Sequence, residues 1–239
     1  VADRIVLAVD VGGSHVKALT SKQQERRRFV SGGSLTAEEM VSGVLEAVEG
    51  WAWDVVSVGI PAPVRGNKVV SEPVNLGKGW VGFDYEAAFG EPTKVVNDAA
   101  MQAVGSYRGG RMLFLGLGTG LGSTLIANGL IEPLELGHLP FRKKTFEDYV
   151  SERALGKKGK KKWQRAVFET VERLTTALEP DEVVLGGGGV DELDELPPGC
   201  RRGANDNAFL GGFRLWDPDE LARLGAQPLD ATAEAPAHR

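Results

Sequence analysis

The alternation of apolar and polar positions opens on strands. Arg4–Val9 holds a nearly continuous apolar run, and His15–Thr20 follows across a Gly-Gly turn, so the two read as a hairpin. A third strand is predicted near Arg28–Val30. The period then lengthens to that of a helix. Met40, Val41, Val44, Leu45 and Val48 share one face of Thr36–Val48, with Thr36 placed to cap and Glu39 to complete a capping box. Asp54–Ile60 reads as a buried strand ended by Pro61-Ala62-Pro63. Arg65–Glu72 holds a turn and a short strand, Asn75–Trp80 a loop and Tyr85–Phe89 a short helix. Thr93–Val96 is a strand ending at Asn97-Asp98, and Ala99–Ser106 continues as a helix.

From Met112 the pattern restarts: strand, glycine turn, strand (Ser123–Ala127), an Asn128-Gly129 turn, then Leu130–Pro133. Phe146–Thr176 reads as mostly helical, interrupted by a basic, Gly-containing stretch at Gly156–Lys162. Glu182–Leu185 is another buried strand running into glycines, followed by a Pro/Gly linker through Gly199. A final helix is predicted over Asn207–Leu215. The polar Ala/Pro-rich tail, 217–239, is expected to be flexible, its last dozen or so residues disordered. The chain therefore reads as two α/β halves, 1–97 and 98–204, each opening on strand, glycine turn, strand. That echo predicts two similar lobes with a central cleft, where small-molecule sites tend to lie.

Composition narrows the function. A length of 239 residues supports one good core or two small ones, and 42% hydrophobic with 26% charged residues is ordinary for a globular protein. A net charge of −5 argues against nucleic acid as a main partner. One cysteine, Cys200, permits neither an internal disulfide nor a cysteine-based metal cluster and fits a reducing cytoplasm. No secretion signal is expected, and no apolar run approaches the roughly 18 residues that span a bilayer, so no membrane partner is expected either.

The chemistry gathers at three strand-terminal glycine turns: Asp10-Val11-Gly12-Gly13-Ser14, Gly116-Leu117-Gly118-Thr119-Gly120-Leu121-Gly122 and Gly186-Gly187-Gly188-Gly189. Turns without Cβ atoms let backbone N–H groups approach phosphate oxygens, and Asp10 at a strand end adds a carboxylate for a hard cation. The second turn is not a dinucleotide fingerprint, because a strand and an Asn-Gly hairpin follow it instead of a helix with a later acid. Asn97-Asp98 sits at a strand-to-helix junction, where Asp98 either caps the helix or serves as a general base for a hydroxyl. Glu135-Leu136-Gly137-His138 adds a carboxylate and an imidazole suited to a polyhydroxylated ring.

Asp10 through Lys17 resembles the first phosphate-binding segment of the actin, hexokinase and heat-shock-chaperone ATPase superfamily. The four residues Asn97, Asp98, Glu135 and His138 look like the sugar site of the ROK family (repressors, open reading frames and sugar kinases), closest to its polyphosphate-type glucokinase branch. The resemblance runs to Trp216 and includes Asn75 and Trp80, which match an Asn-x-x-x-x-Trp segment whose Asn lies near the sugar. It implies an α/β, two-lobed, actin-like (ribonuclease-H-like) fold, with a helix at about 205–216 returning to the N-terminal lobe. It also implies a Mg²⁺-dependent hexose kinase, with glucose as the expected acceptor and ATP or polyphosphate as donor. Asp98 would be the base. Asp10 would hold Mg²⁺, through water. Asn75, Asn97, Glu135 and His138 would hold the sugar. Gly12, Gly13, Ser14, Lys17, Gly118, Thr119, Gly120, Gly187 and Gly188 would serve phosphate or nucleotide, and a homodimer is the family expectation. Alternatives are another acceptor (mannose, fructose or an N-acetylhexosamine) and a sugar-sensing regulator.

The sequence departs from the family in three places. No cysteine follows Glu135–His138, so no structural zinc is expected, nor the extra glutamate contact that accompanies it. Ala62 replaces a glycine in Gly59-Ile60-Pro61-Ala62. The third turn carries an additional glycine and then Asp191-Glu192. The basic run Lys157–Lys162, with Arg165 and Arg142-Lys143-Lys144, reads either as a solvated face or as a surface that attracts a polyanion.

Overall fold

The computed structural model describes residues 4–204 and 206–225. Strand β1 (Val6–Val11) is buried along its whole length. It lies at the centre of a five-stranded sheet covered on both faces, which is why its apolar run is continuous rather than alternating. Its neighbours are β2 (His15–Thr20), antiparallel and bordered by β3 (Arg27–Val30), and on the other side β4 (Val55–Ile60), parallel. Helix α1 (Ala37–Ala47) covers one face, and its Thr36–Glu39 capping box forms as the sequence predicts. The short strands β5 (Val64–Arg65) and β6 (Lys68–Val69) and helix α2 (Tyr85–Phe89) lead to β7 (Thr93–Asn97), parallel to β4. Helix α3 (Asp98–Ser106) leaves directly from that strand.

The second sheet is built from β8 (Met112–Leu117), β9 (Leu121–Ala127) and β10 (Leu130–Leu134). A 3-10 turn at Leu136–His138 and the small hairpin β11 (Pro140–Phe141) and β12 (Lys144–Thr145) follow. Helices α4 (Glu147–Val150), α5 (Glu152–Lys158) and α6 (Lys160–Leu178) precede β13 (Glu182–Gly186) and β14 (Cys200–Arg202). The strand orders are β3-β2-β1-β4-β7 and β10-β9-β8-β13-β14. In each sheet the first three strands pair antiparallel and the last three parallel, so the two sheets repeat one topology.

Helices α7 (Asn207–Arg214) and α8 (Pro218–Arg223) complete the described chain. Helix α7 packs on α3 and on β1 and β4 of the first sheet. Glycines permit this contact. A Cβ at Gly105 would run into the Asn207 carbonyl oxygen, one at Gly211 into that of Met101, and one at Gly212 would lie 2.7 Å from the Ala8 Cβ. Ser57, fully buried, donates to the Gly212 carbonyl at 2.7 Å and accepts from the Trp216 indole at 2.9 Å. Among the described residues no helix is long and apolar enough to cross a membrane.

Several local expectations are corrected. The helical break predicted over Gly156–Lys162 shrinks to Gly159 alone, whose φ of 77° ends α5 and starts α6; Gly156 stays helical. The linker before Gly199 leads into edge strand β14, whose short polar sequence hides its pairing with β13. The tail expected from 217 begins as helix α8, capped by Asp217, opened by Pro218 and anchored by buried Leu221. Asn205 and the stretch expected to be disordered lie outside the described residues.

Candidate active site

Asp10 is buried at the end of β1, opposite Lys17 in the antiparallel register, and the pairing brings the Lys17 Nζ to 3.4 Å from its Oδ2. Burial pushes the Asp10 carboxyl above its usual range, and Lys17 and Arg26 pull it part of the way back. The turn beyond closes through Gly12 N–H to the His15 carbonyl at 3.0 Å, and Ser31 donates to the Gly12 carbonyl at 2.8 Å. A Cβ on Gly13 would lie 3.3 Å from the Thr119 Oγ1 and 4.0 Å from the Asn75 Cβ. The first two glycine turns therefore face each other across the cleft, with exposed Asn75 beside them.

The junction between β7 and α3 divides its work between two residues. Asn97 is the helix cap: its Oδ1 accepts from Ala100 N–H and its Nδ2 donates to the Ala62 carbonyl, both at 3.2 Å. Asp98 accepts from Ala99 N–H at 2.8 Å and, among the described residues, pairs with no cationic side chain. Its pKa is raised to about 7, first by burial and then by the nearby charges of Asp10 and Glu135, against the pull of the Ala99 N–H. The helix-capping reading thus falls to Asn97, and Asp98 is left as a carboxyl poised near neutrality.

Ser123 on β9 positions the Glu135–His138 segment by donating to the Leu134 carbonyl at 2.7 Å and accepting from Leu136 N–H at 3.1 Å. Gly137 lies against β9, where a Cβ would stand 3.0 Å from the Leu121 carbonyl oxygen. Glu135 and His138 face each other at 3.9 Å and remain about half exposed. Burial raises the Glu135 pKa, with His138 lowering it and Glu147 raising it.

Glu147 is a residue that sequence reasoning missed. It opens α4, and its Oε2 lies 2.9 Å from where a Cβ on Gly120 would sit, while a Cβ on Gly137 would be 3.6 Å from its own Cβ. It is not the glutamate of the zinc motif, which this chain lacks, but a carboxylate brought to the segment by a different element. The usable signal was an acid in the first helical turn after the small hairpin.

The third turn packs on the second. Gly187, at φ 80°, and Gly189 both lie against Leu117: a side chain at Gly187 would collide with the β8 backbone, and one at Gly189 would crowd Leu117 at 3.0 Å. Glu152 N–H donates to the Gly118 carbonyl at 2.8 Å, and the Glu152 carboxylate lies beside Gly188. Asp191, just beyond, is paired with Arg202 at 2.6 Å. Trp80 is fully buried with its indole donating to the Leu35 carbonyl, so it belongs to the core of the first lobe and not to the cleft.

Duplicated β-sheet topology, an α3–α7 junction and glycine turns meeting across a cleft define a two-lobed protein of the actin-like ATPase fold. The solved structures it superposes on carry that fold in the form found in ROK sugar kinases. One is an inorganic polyphosphate/ATP-glucomannokinase from Arthrobacter sp. strain KM, with TM-score 0.77 and 24% identity over 92% of this chain and 99% of that chain. Another is a ROK family glucokinase from Streptomyces griseus in complex with glucose and AMPPNP, with TM-score 0.71 and 18% identity over 87% and 97%. In sequence the chain is homologous to the polyphosphate glucokinase of Mycobacterium tuberculosis, 27% identical over 212 residues and 80% of each protein. No family model matches the chain.

Proposed function

We propose that the protein is a hexose kinase that transfers the terminal phosphoryl group of ATP or polyphosphate to the 6-hydroxyl of glucose, and of mannose as a second acceptor. The observation that carries this reading is Asp98. It is a carboxyl without a cationic partner among the described residues, raised to about 7, beside two facing glycine turns and the Glu135–His138 segment. A base near neutrality can take the proton of a hydroxyl as its oxygen attacks.

Glu135, His138 and Glu147 supply acceptors and a donor for sugar hydroxyls. Asn97 keeps one N–H and one lone pair beyond its two backbone bonds, enough for one further hydroxyl. Asn75 stands where the acceptor and the first turn meet. The N–H groups of Gly12, Gly13, Gly118, Thr119 and Gly120, with Lys17, bind phosphate oxygens, and Gly187 and Gly188 border the far end of the donor site.

No cluster of three or more metal-ligating side chains occurs among the described residues, but Mg²⁺ bound with phosphates needs few protein ligands. Asp10 fits that demand as a buried carboxylate at the first phosphate turn, held at present against Lys17. Bound there, the ion would neutralise charge on the transferred phosphate. Closure of the two lobes excludes water and protects the donor from hydrolysis.

The test is purified protein with Mg²⁺, a panel of hexoses and either ATP or polyphosphate, scored for sugar 6-phosphate. Product is expected with glucose. Its absence with every pair would overturn the kinase reading.

A further inference from the structure

The basic run near residue 160 is not one patch. Lys160 turns away to pair with Asp194 at 2.7 Å, whereas Lys157 and Lys158 turn toward α4. There, with Lys144 and Arg153, they line a cavity of about 240 Å³ that also includes Asp148, Tyr149 and Ala154. Four cations thus face one carboxylate in a chain whose net charge is −5. That carboxylate is already engaged, accepting from the Thr145 hydroxyl at 2.9 Å and from Arg153 at 3.4 Å.

The side chains of Lys144 and Lys157 enter no hydrogen bond or ion pair among the described residues. The Lys158 ammonium is fixed by the Asp148 carbonyl at 2.6 Å and by the Tyr149 ring, whose centre is 3.3 Å away. Burial, with Arg142 and Lys144 nearby, lowers its pKa. Four cations sharing one carboxylate repel one another, and an anionic ligand would relieve that repulsion.

The position of the cavity selects the ligand. Helix α5 begins where Glu152 N–H meets the Gly118 carbonyl, at the second glycine turn, and ends at Lys158. At 1.5 Å per residue it carries the cations over about 9 Å from that turn, with Arg153 and Lys157 one turn apart on the same face.

We propose that this cavity holds the trailing phosphates of an inorganic polyphosphate chain whose terminal phosphate lies at the Gly118–Gly120 turn. The proposal rests on the kinase reading for the position of that terminal phosphate. A nucleoside triphosphate brings only three phosphates to the turn and the row of cations, whereas a long chain continues along the whole row.

Direct binding tests the proposal without passing through turnover. Long-chain polyphosphate and tripolyphosphate are titrated into the full chain at fixed ionic strength, for the wild type and for the combined variant Lys144→Gln, Arg153→Gln and Lys157→Gln. The wild type is expected to bind the long chain at least about tenfold tighter than tripolyphosphate, and the combined variant to lose that advantage. Lys157→Gln alone, at an exposed and unpaired position, should lose about two- to threefold and guards against misfolding of the combined variant. An unchanged ratio in the combined variant overturns the proposal. Equal loss for both anions does so too, as does an RNA homopolymer that competes as well as polyphosphate. Absence of sugar phosphate with every donor would count against the kinase reading alone, since the binding ratio is measured without sugar.

Discussion

Replacing Asp98 by Asn keeps the shape of the side chain and its acceptor for Ala99 N–H, and removes only the charge. The wild-type carboxyl moves from an ordinary 3.8 to about 7 on folding, because its ionised form is desolvated and faces Asp10 and Glu135. Holding it ionised above pH 7 therefore costs the fold about 4 kcal/mol if no water reaches it. Screening in the open cleft brings the expected figure to about 2–4 kcal/mol.

The sign follows from proton uptake. The folded state binds this proton more tightly, so wild-type stability falls as pH rises from about 4 to about 7 and is level beyond. The Asn variant lacks that loss. At pH 8 it should melt roughly 5–15 °C above the wild type for a chain of this size, and at pH 5 the gap should shrink to less than half. Thermal unfolding at the two pH values measures this, beside turnover, which should fall by about 10²–10⁴. In the wild type, kcat/KM should rise through pH 7 and then level. A variant no more stable than wild type at pH 8, or a gap that ignores pH, would refute the idea that Asp98 is strained by its charge.

Gly211→Ala forces apart the backbones of α3 and α7 and should cost about 3 kcal/mol or more, read from chemical denaturation. Ser123→Ala leaves the Leu134 carbonyl and the Leu136 N–H without their partner, an expected loss of about 1–3 kcal/mol. Because Ser123 sets the Glu135–His138 segment, its loss should raise the KM for sugar more than it lowers kcat. Trp80→Phe removes the bond to the Leu35 carbonyl and should lower stability by about 1–3 kcal/mol with the sugar KM unmoved, since Trp80 lies in the core.

Local signals proved the most legible. The Thr36–Glu39 capping box and the glycine turns each depend on residues within a few positions of one another, and they form where the sequence places them. The Asn97-Asp98 pair was legible as a junction but not in its division of labour. Either side chain can cap, and it is the Ala62 carbonyl, brought in by the β4–β7 pairing, that commits Asn97. Glu147 escaped notice because its nearness to Gly120 and Gly137 follows from how α4 packs after the β11–β12 hairpin, which no periodicity encodes. Strand β14 was hidden by its polar edge position, and Gly105 and Gly211 pass for neutral helix residues until the two helices are seen to cross.

The placement of α7 has a consequence for synthesis. Ser57 and Gly212, which meet under the first sheet, are 155 positions apart. At about 5–20 residues per second, roughly 8–30 s separate the emergence of one from that of the other. For that interval the core between the first sheet and α1 can already form, but the face of β1 and β4 beneath α7 lacks its cover, and that face is completed only when nearly the whole described chain has been made. A chain stalled near residue 200 should accordingly be cut by protease within Val6–Ile60, where the finished protein resists. The second sheet shares the wait: its core with α6 forms from residues 113–193, but its other face clusters with Ala208, Leu215 and Leu221, so the last helices to be made complete both lobes.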